Sequence, residues 1–161
     1  MRFFDRYSQI SIGKLITART TDELVENLKE TEYYAPLKKI KDTDNVTLYD
    51  YNLALDLYYY TSTWKEQKKI LKKSDLELFM RDRGSKIDLL NIQWIYRAKK
   101  YYNMKPADIY LMLIPIHYKL STELVKDMVE APGVEEFENV VIRTTYARHY
   151  NFKQNLTMEQ M

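Results

Sequence analysis

The sequence predicts an all-α fold, a helical repeat bundle, on three observations. Only three glycines (Gly13, Gly84, Gly133) and four prolines interrupt 161 residues, so breakers are scarce. Apolar residues recur at three-to-four-residue spacing over long segments, the period of a helix with one buried face. Hydroxyl residues followed three positions later by an acid recur where such segments open, as a capping box does.

The elements follow in chain order. Thr20 with Glu23 is a candidate capping box, opening a helix from Asp22 to about Thr31 with Leu24 and Leu28 on one face. Tyr33 to about Lys39 reads as a shorter helix, and the polar cluster Lys41 to Asn45 as a loop. A long pattern runs from about Val46 to Lys72, with Leu48, Tyr51, Leu55 and Tyr58 on one stripe. Its wide apolar band suggests more than one neighbour. The lysines between Lys65 and Lys73 fall near its end, where cations complement the helix dipole.

Ser74 or Asp75 can cap the next helix, which carries Leu76, Phe79 and Met80 before Gly84 interrupts it. Ser85 as N-cap and Asp88 three residues on form a second candidate capping box, so a new helix is expected from Lys86 to Tyr102. Ile87, Leu90, Trp94, Ile95 and Ala98 mark its buried stripe. The segment 46–102 is thus the long helical core. A loop at Asn103 to Pro106, a short apolar helix to about Leu113 and a turn at Pro115 follow. Ser121 opens a helix through Val129, and Pro132 with Gly133 opens the last, through about Thr145. Asn155 to Met161 shows no sustained period and reads as a fraying tail.

Composition narrows the function classes. The chain is long enough for one ordinary domain spanning 1–161 with a real core. It has no cysteine, which excludes disulfides, thiolate zinc sites and a cysteine nucleophile. Twenty-five basic residues against 23 acidic ones, interspersed, leave no footprint for nucleic acid. The apolar run Tyr110 to Ile116 is far shorter than a membrane span and contains Pro115. Asp5 and Arg6 stand where a secretory signal would have its apolar core.

No catalytic, cofactor or metal residues are expected. His117 and His149, the two histidines, lie outside any ligand-spaced cluster. No glycine-rich phosphate loop with its lysine is present. The acid pairs Asp22 with Glu23 and Glu135 with Glu136 sit in first turns of predicted helices, where carboxylates stabilise the dipole. The candidate contact residues are Asp88, Asn91, Trp94 and Arg97. Asp88 is read as a helix-start residue. Asn91 and Arg97 flank the apolar stripe, where a polar group needs a partner, either another helix or another protein.

The chain also contains an internal match. Ala18 to Tyr33 (ARTTDELVENLKETEY) aligns without a gap to Ala131 to Tyr146 (APGVEEFENVVIRTTY). Leu24 corresponds to Phe137, Leu28 to Val141, Thr31 to Thr144 and Tyr33 to Tyr146. Each segment follows a helix, Ile10 to Ile16 and Leu124 to Val129 respectively. Read as a repeat, with segments 18–33 and 131–146, the second copy is cut short.

Four stretches carry a family resemblance: ITARTTDELVENLKETEYYAPL (Ile16 to Leu37), LYDYNLALDLYYY (Leu48 to Tyr60), GSKIDLLNIQWIYRAKKYY (Gly84 to Tyr102) and LIPIHYKLSTELVKDMVEAPGVEEFENVV (Leu113 to Val141). In order and spacing they resemble the d subunit of eukaryotic vacuolar-type rotary ATPases and its archaeal and bacterial counterpart, the C subunit. The family's subunit is longer, and this chain resembles its middle portion, without an N-terminal repeat or a C-terminal segment. The resemblance implies a non-catalytic, funnel-like, pseudo-symmetric helical subunit without cofactors. Its implied place is the cytoplasmic face of the membrane, as a peripheral part of a complex, between the central shaft and the rotor ring. There it couples ATP hydrolysis or synthesis to ion transport.

Two other readings stand beside it. A free-standing helical adaptor would keep the fold without the machine. A nucleic-acid module would use Arg97, Lys99, Lys100, Tyr101, Tyr102 and Lys105, which interleave cations with aromatics. Near-neutral net charge opposes the last, and no nucleic-acid partner is expected.

Overall fold

A computed structural model describes residues 10–41 and 46–149. The expected loop at 42–45, the tail at 155–161 and the chain start lie outside these residues. Within them the protein is all-helical, with no strand, and no helix is long and apolar enough to cross a membrane. The chain divides into two compact units after Ser62.

The first unit contains α1 (Ile12–Thr17), α2 (Thr21–Glu26), α3 (Tyr34–Lys41) and the start of α4 (Leu48–Ile70). Thr20 caps α2 as its sequence predicts: its hydroxyl accepts from the Glu23 N–H at 3.1 Å. The Glu23 carboxylate reaches back one residue further than expected, to the Arg19 N–H at 2.9 Å. Helix α2 stops at Glu26, short of Thr31, because the following residues close tighter turns. The Leu28 and Lys29 N–H groups bond three residues back, and the Thr31 hydroxyl takes the Leu28 carbonyl at 2.7 Å. Val25, Leu28 and Leu37 form the small core, flanked by Leu15, Tyr33, Tyr34, Tyr51 and Leu55. Helix α4 opens with a cap absent from the sequence-based expectations. Asp50 Oδ2 accepts from both the Thr47 N–H, at 2.7 Å, and its hydroxyl, at 2.6 Å.

The second unit is built on α5, Lys73–Tyr102, thirty unbroken residues, about 45 Å of helix. Three expectations are corrected here. Gly84 does not interrupt the helix; it keeps a negative φ and lies against the ring of Tyr118. A Cβ at Gly84 would stand 2.6 Å from Tyr118 Cγ, so the glycine serves close packing rather than termination. Ser85 and Asp88 therefore form no capping box, since no helix begins there. Nor do Ser74 or Asp75 cap: the N-cap position is Lys72, without a side-chain cap bond.

Helix α5 ends at Asn103, which adopts the left-handed conformation at φ 45° while its N–H bonds the Ala98 carbonyl. Asparagine tolerates this conformation better than other residues with a Cβ. Then come α6 (Pro106–Met112), α7 (Thr122–Glu130), α8 (Val134–Ile142) and a 3₁₀ turn, Ala147–His149. Pro106 stands at the start of α6, where its missing N–H costs nothing. Ser121 caps α7 by accepting from the Leu124 N–H at 3.1 Å, as expected. Helix α8 ends before Thr145, because the Thr144 hydroxyl bonds the Val141 carbonyl and the chain turns. The core joins Ile92, Ile95 and Ala98 of α5 to Ile109, Val125, Met128, Val129, Phe137, Val140, Val141 and Tyr146.

The two aligned segments coincide in local detail. Ala18 follows α1 at φ −61°, ψ 129°, and Ala131 follows α7 at φ −50°, ψ 129°. Thr20 and Gly133 are the N-caps of the next helices, and both are extended. Leu24 N–H bonds the Thr20 carbonyl as Phe137 N–H bonds that of Gly133. The Thr31 hydroxyl bonds Leu28, and the Thr144 hydroxyl bonds Val141, each at 2.7 Å.

Candidate functional site

Among the described residues, the buried polar side chains Asp88 and Asn91 lie on one face of α5, while buried Thr144 follows α8. Positions 88, 91, 95, 98 and 99 recur at helical spacing, so apolar Ile95 and Ala98 share a stripe with Asp88, Asn91 and Lys99. Asp88 and Asn91 are both fully buried. Such groups persist inside a core only when hydrogen-bonded.

Asp88 satisfies its carboxylate with four donors. Oδ1 accepts from the Tyr118 N–H at 3.0 Å, and Oδ2 from Lys119 at 2.7 Å and Leu120 at 3.2 Å. The Tyr146 hydroxyl donates to Oδ2 at 2.7 Å. Three successive backbone donors just ahead of the Ser121 cap are thus fixed by one side chain. Burial, then the hydrogen bond to Asp88, push the Tyr146 phenol well above the usual tyrosine range.

Asn91 pairs with Ile114 as one backbone pairs with another. Its Nδ2 donates to the Ile114 carbonyl and its Oδ1 accepts from the Ile114 N–H, both at 2.9 Å. Lys99 Nζ donates to the carbonyls of Val129, at 2.7 Å, and Ala131, at 2.6 Å, at the C-terminal end of α7. A cation suits that end of the dipole. Partial burial lowers the Lys99 pKa.

Of the four residues singled out in the sequence, the structure brings Asp88 and Asn91 together, one helical turn apart. Trp94 is half-buried and packs against the core edge, while Arg97 is exposed. Lys99 and Tyr146 belong to the same polar spine, and the sequence signals them only indirectly. Lys99 reads as part of a basic run, and Tyr146 only as the counterpart of Tyr33. Lys99 is spent on internal carbonyls. Lys100 donates to Tyr96 Oη at 2.6 Å, with its ammonium over the Tyr96 and Tyr101 rings.

Among the described residues no buried side-chain nitrogen or oxygen lacks a partner. No group of histidine and acidic side chains there could hold a metal ion. His117 and His149 are exposed. The Asp88 carboxylate, held by four donors, is committed to ordering the chain, and the spine has the chemistry of a scaffold.

An all-helical body whose described buried polar groups hold its own loops has the build of a structural scaffold. The chain belongs to the ATP synthase (C/AC39) subunit family, which it matches over residues 1–160. It is 31% identical over 140 residues to the C subunit of the A-type ATP synthase of Methanosarcina mazei, covering 87% of this chain and 37% of that protein. The counterpart in Methanosarcina barkeri is 29% identical over 140 residues, covering 87% and 37%. The one in Methanobrevibacter smithii is 28% identical over 138 residues, covering 84% and 35%. The chain thus spans well under half the length of the relatives it matches. No solved structure shows a significant match.

Proposed function

We propose that the chain is a non-catalytic coupling piece of a V/A-type rotary ATPase, standing between the central shaft and the membrane rotor ring. In this role it transmits torque between ATP chemistry and ion transport from the cytoplasmic face, as a peripheral component. The observation that carries the reading is the family match along the whole chain, to relatives named as the C subunit of A-type ATP synthases.

The build of the molecule supports it. Torque transmission needs rigid helices and interfaces rather than a reactive centre. The spine of Asp88, Asn91 and Lys99 ties the connection between α6 and α7 and the C-terminal end of α7 to one thirty-residue helix. Large apolar side chains remain on the surface of each unit, Leu48 and Tyr49 in the first, Tyr102, Tyr110 and Leu111 in the second. Aromatic side chains of this kind are enriched where proteins meet.

The test is to isolate the native protein from gently solubilised membranes and take intact masses of everything bound to it. Recovery with shaft and rotor-ring subunits is the expected result. Recovery alone from the soluble fraction would withdraw the rotary role and leave a helical adaptor.

A further inference from the structure

The helix dipole does not account for all the lysines between Lys65 and Lys73. Helix α4 ends at Ile70 and α5 begins at Lys73, so Lys68 and Lys69 lie in a last turn, where a cation is favourable. Lys72 and Lys73 stand at the opposite pole, as N-cap and first residue of α5, where a cation is unfavourable. Lys65, Lys68, Lys69, Lys72 and Lys73 are all exposed. Among the described residues none of them is in an ion pair. Between 65 and 73 they meet a single acid, Glu66, with Asp75 and Glu77 further along α5. The Trp64 and Phe79 rings, on either side of the turn at Leu71 and Lys72, meet at 5.7 Å. Within the second unit, therefore, the end of α4 folds back against the start of α5, and the lysines crowd the tip of a helical hairpin. Ile70, at that tip, is 73% exposed.

We propose that this hairpin tip docks on an anionic lipid surface, with the lysines meeting headgroup phosphates and Ile70 entering the headgroup layer. Clustered, unpaired cations on a helical segment are drawn to acidic lipid. An exposed apolar side chain among them adds burial at the acyl boundary. The chemistry of the tip favours lipid over other anions. All five cations are lysines, hydrated point charges on flexible stems that suit a diffuse negative surface. A specific carboxylate or nucleic-acid partner is better matched by the planar fork of arginine. Stacking on bases needs a free aromatic ring, and Trp64 is turned onto Phe79. No helix among the described residues is long and apolar enough to cross a membrane, so the contact lies on the surface of the bilayer. It does not depend on the rotary role.

The chain has no cysteine, so Ile70→Cys accepts a single environment-sensitive fluorophore, and Glu123→Cys, exposed on α7, places the same label away from the tip. The purified full chain is mixed at low salt with vesicles of equal parts phosphatidylcholine and phosphatidylglycerol, and separately with phosphatidylcholine alone. Co-sedimentation with the anionic vesicles only, reversed by added salt, is expected. Emission from position 70 should shift to the blue, and emission from position 123 should not. The triple variant Lys69→Gln/Lys72→Gln/Lys73→Gln should keep the melting temperature and bind anionic vesicles roughly a hundredfold more weakly. Equal binding to neutral vesicles, no binding at low salt, unweakened binding by the triple variant, or unchanged emission from position 70 would each overturn the proposal. So would binding to a mixed oligonucleotide pool or to polyglutamate without binding to vesicles. Anionic-vesicle binding by protein recovered without shaft and ring subunits would sustain the lipid contact and remove only the rotary role. Recovery with those subunits but no vesicle binding would do the reverse.

Discussion

The Tyr146 hydroxyl donates to Asp88 Oδ2 at 2.7 Å, joining residues 58 positions apart in the chain. The same oxygen also holds the N–H groups of Lys119 and Leu120. Asp88→Ala would leave these donors without their acceptor inside the fold. Each buried group so orphaned costs about 1–3 kcal/mol, and the expected loss of unfolding free energy is about 3 kcal/mol or more. Tyr146→Phe removes one donor and leaves the backbone bonds, so it should cost less. Urea unfolding of both variants checks the order, and equal, negligible effects would show that the carboxylate organises nothing.

The same pair predicts an alkaline response. The folded-state pKa of Tyr146 is raised, by burial first and then by Asp88, whereas an unfolded tyrosine ionises near pH ~10. A raised pKa contributes stability that is fully present below the unfolded value and is lost as pH rises through the folded one. The stability gap between wild type and Tyr146→Phe should therefore be constant below about pH 10 and narrow above it. Tyr110, also raised by burial and then by Glu130, titrates in both proteins and cancels in the difference. A gap that widens with pH would contradict the assignment.

Gly84→Ala reverses a familiar expectation. In an exposed helix the change would gain about 1 kcal/mol from propensity. Here the new methyl would stand 2.6 Å from Tyr118 Cγ and 2.7 Å from its Cβ, so Tyr118 and the 118–120 loop held by Asp88 must move. A lower melting temperature is expected. Trimming the ring in the double variant Gly84→Ala/Tyr118→Ala should recover part of the difference between Gly84→Ala and wild type, measured against Tyr118→Ala alone. A Gly84→Ala protein that melts above wild type would show that the contact is soft.

These residues also mark where the sequence is legible and where it is not. Helical period, the Thr20 and Ser121 caps and the buried positions Ile87, Ile95 and Ala98 are local properties, and all are readable. Gly84 and Asp88 mislead because helix breaking and capping are the local meanings of glycine and of Ser-x-x-Asp. Their actual roles depend on Tyr118 and on the loop at 118–120, thirty residues away, which no local pattern specifies. The Thr47 and Asp50 cap is local and legible in principle. Lys99 is hidden because a lysine in a basic run looks solvated; only the placement of α7 shows which carbonyls it meets.

That last distinction yields a test within one pair of neighbours. Lys99 Nζ donates to the Val129 and Ala131 carbonyls at 2.7 and 2.6 Å, whereas Lys100 is exposed and touches Tyr96 and Tyr101. Methionine keeps most of a lysine's aliphatic length and removes its charge. Hydrogen bonds to charged groups contribute about 1.5–3 kcal/mol, and the half-exposed setting of Lys99 puts Lys99→Met near the lower end, about 1.5 kcal/mol. Lys100→Met should change stability little, since exposed charges add little. Thermal melts of the two variants at moderate salt make the comparison. If Lys100→Met proved the more destabilising, the α7 carbonyls would not be what Lys99 serves, and the basic end of α5 would regain its candidacy as a binding surface.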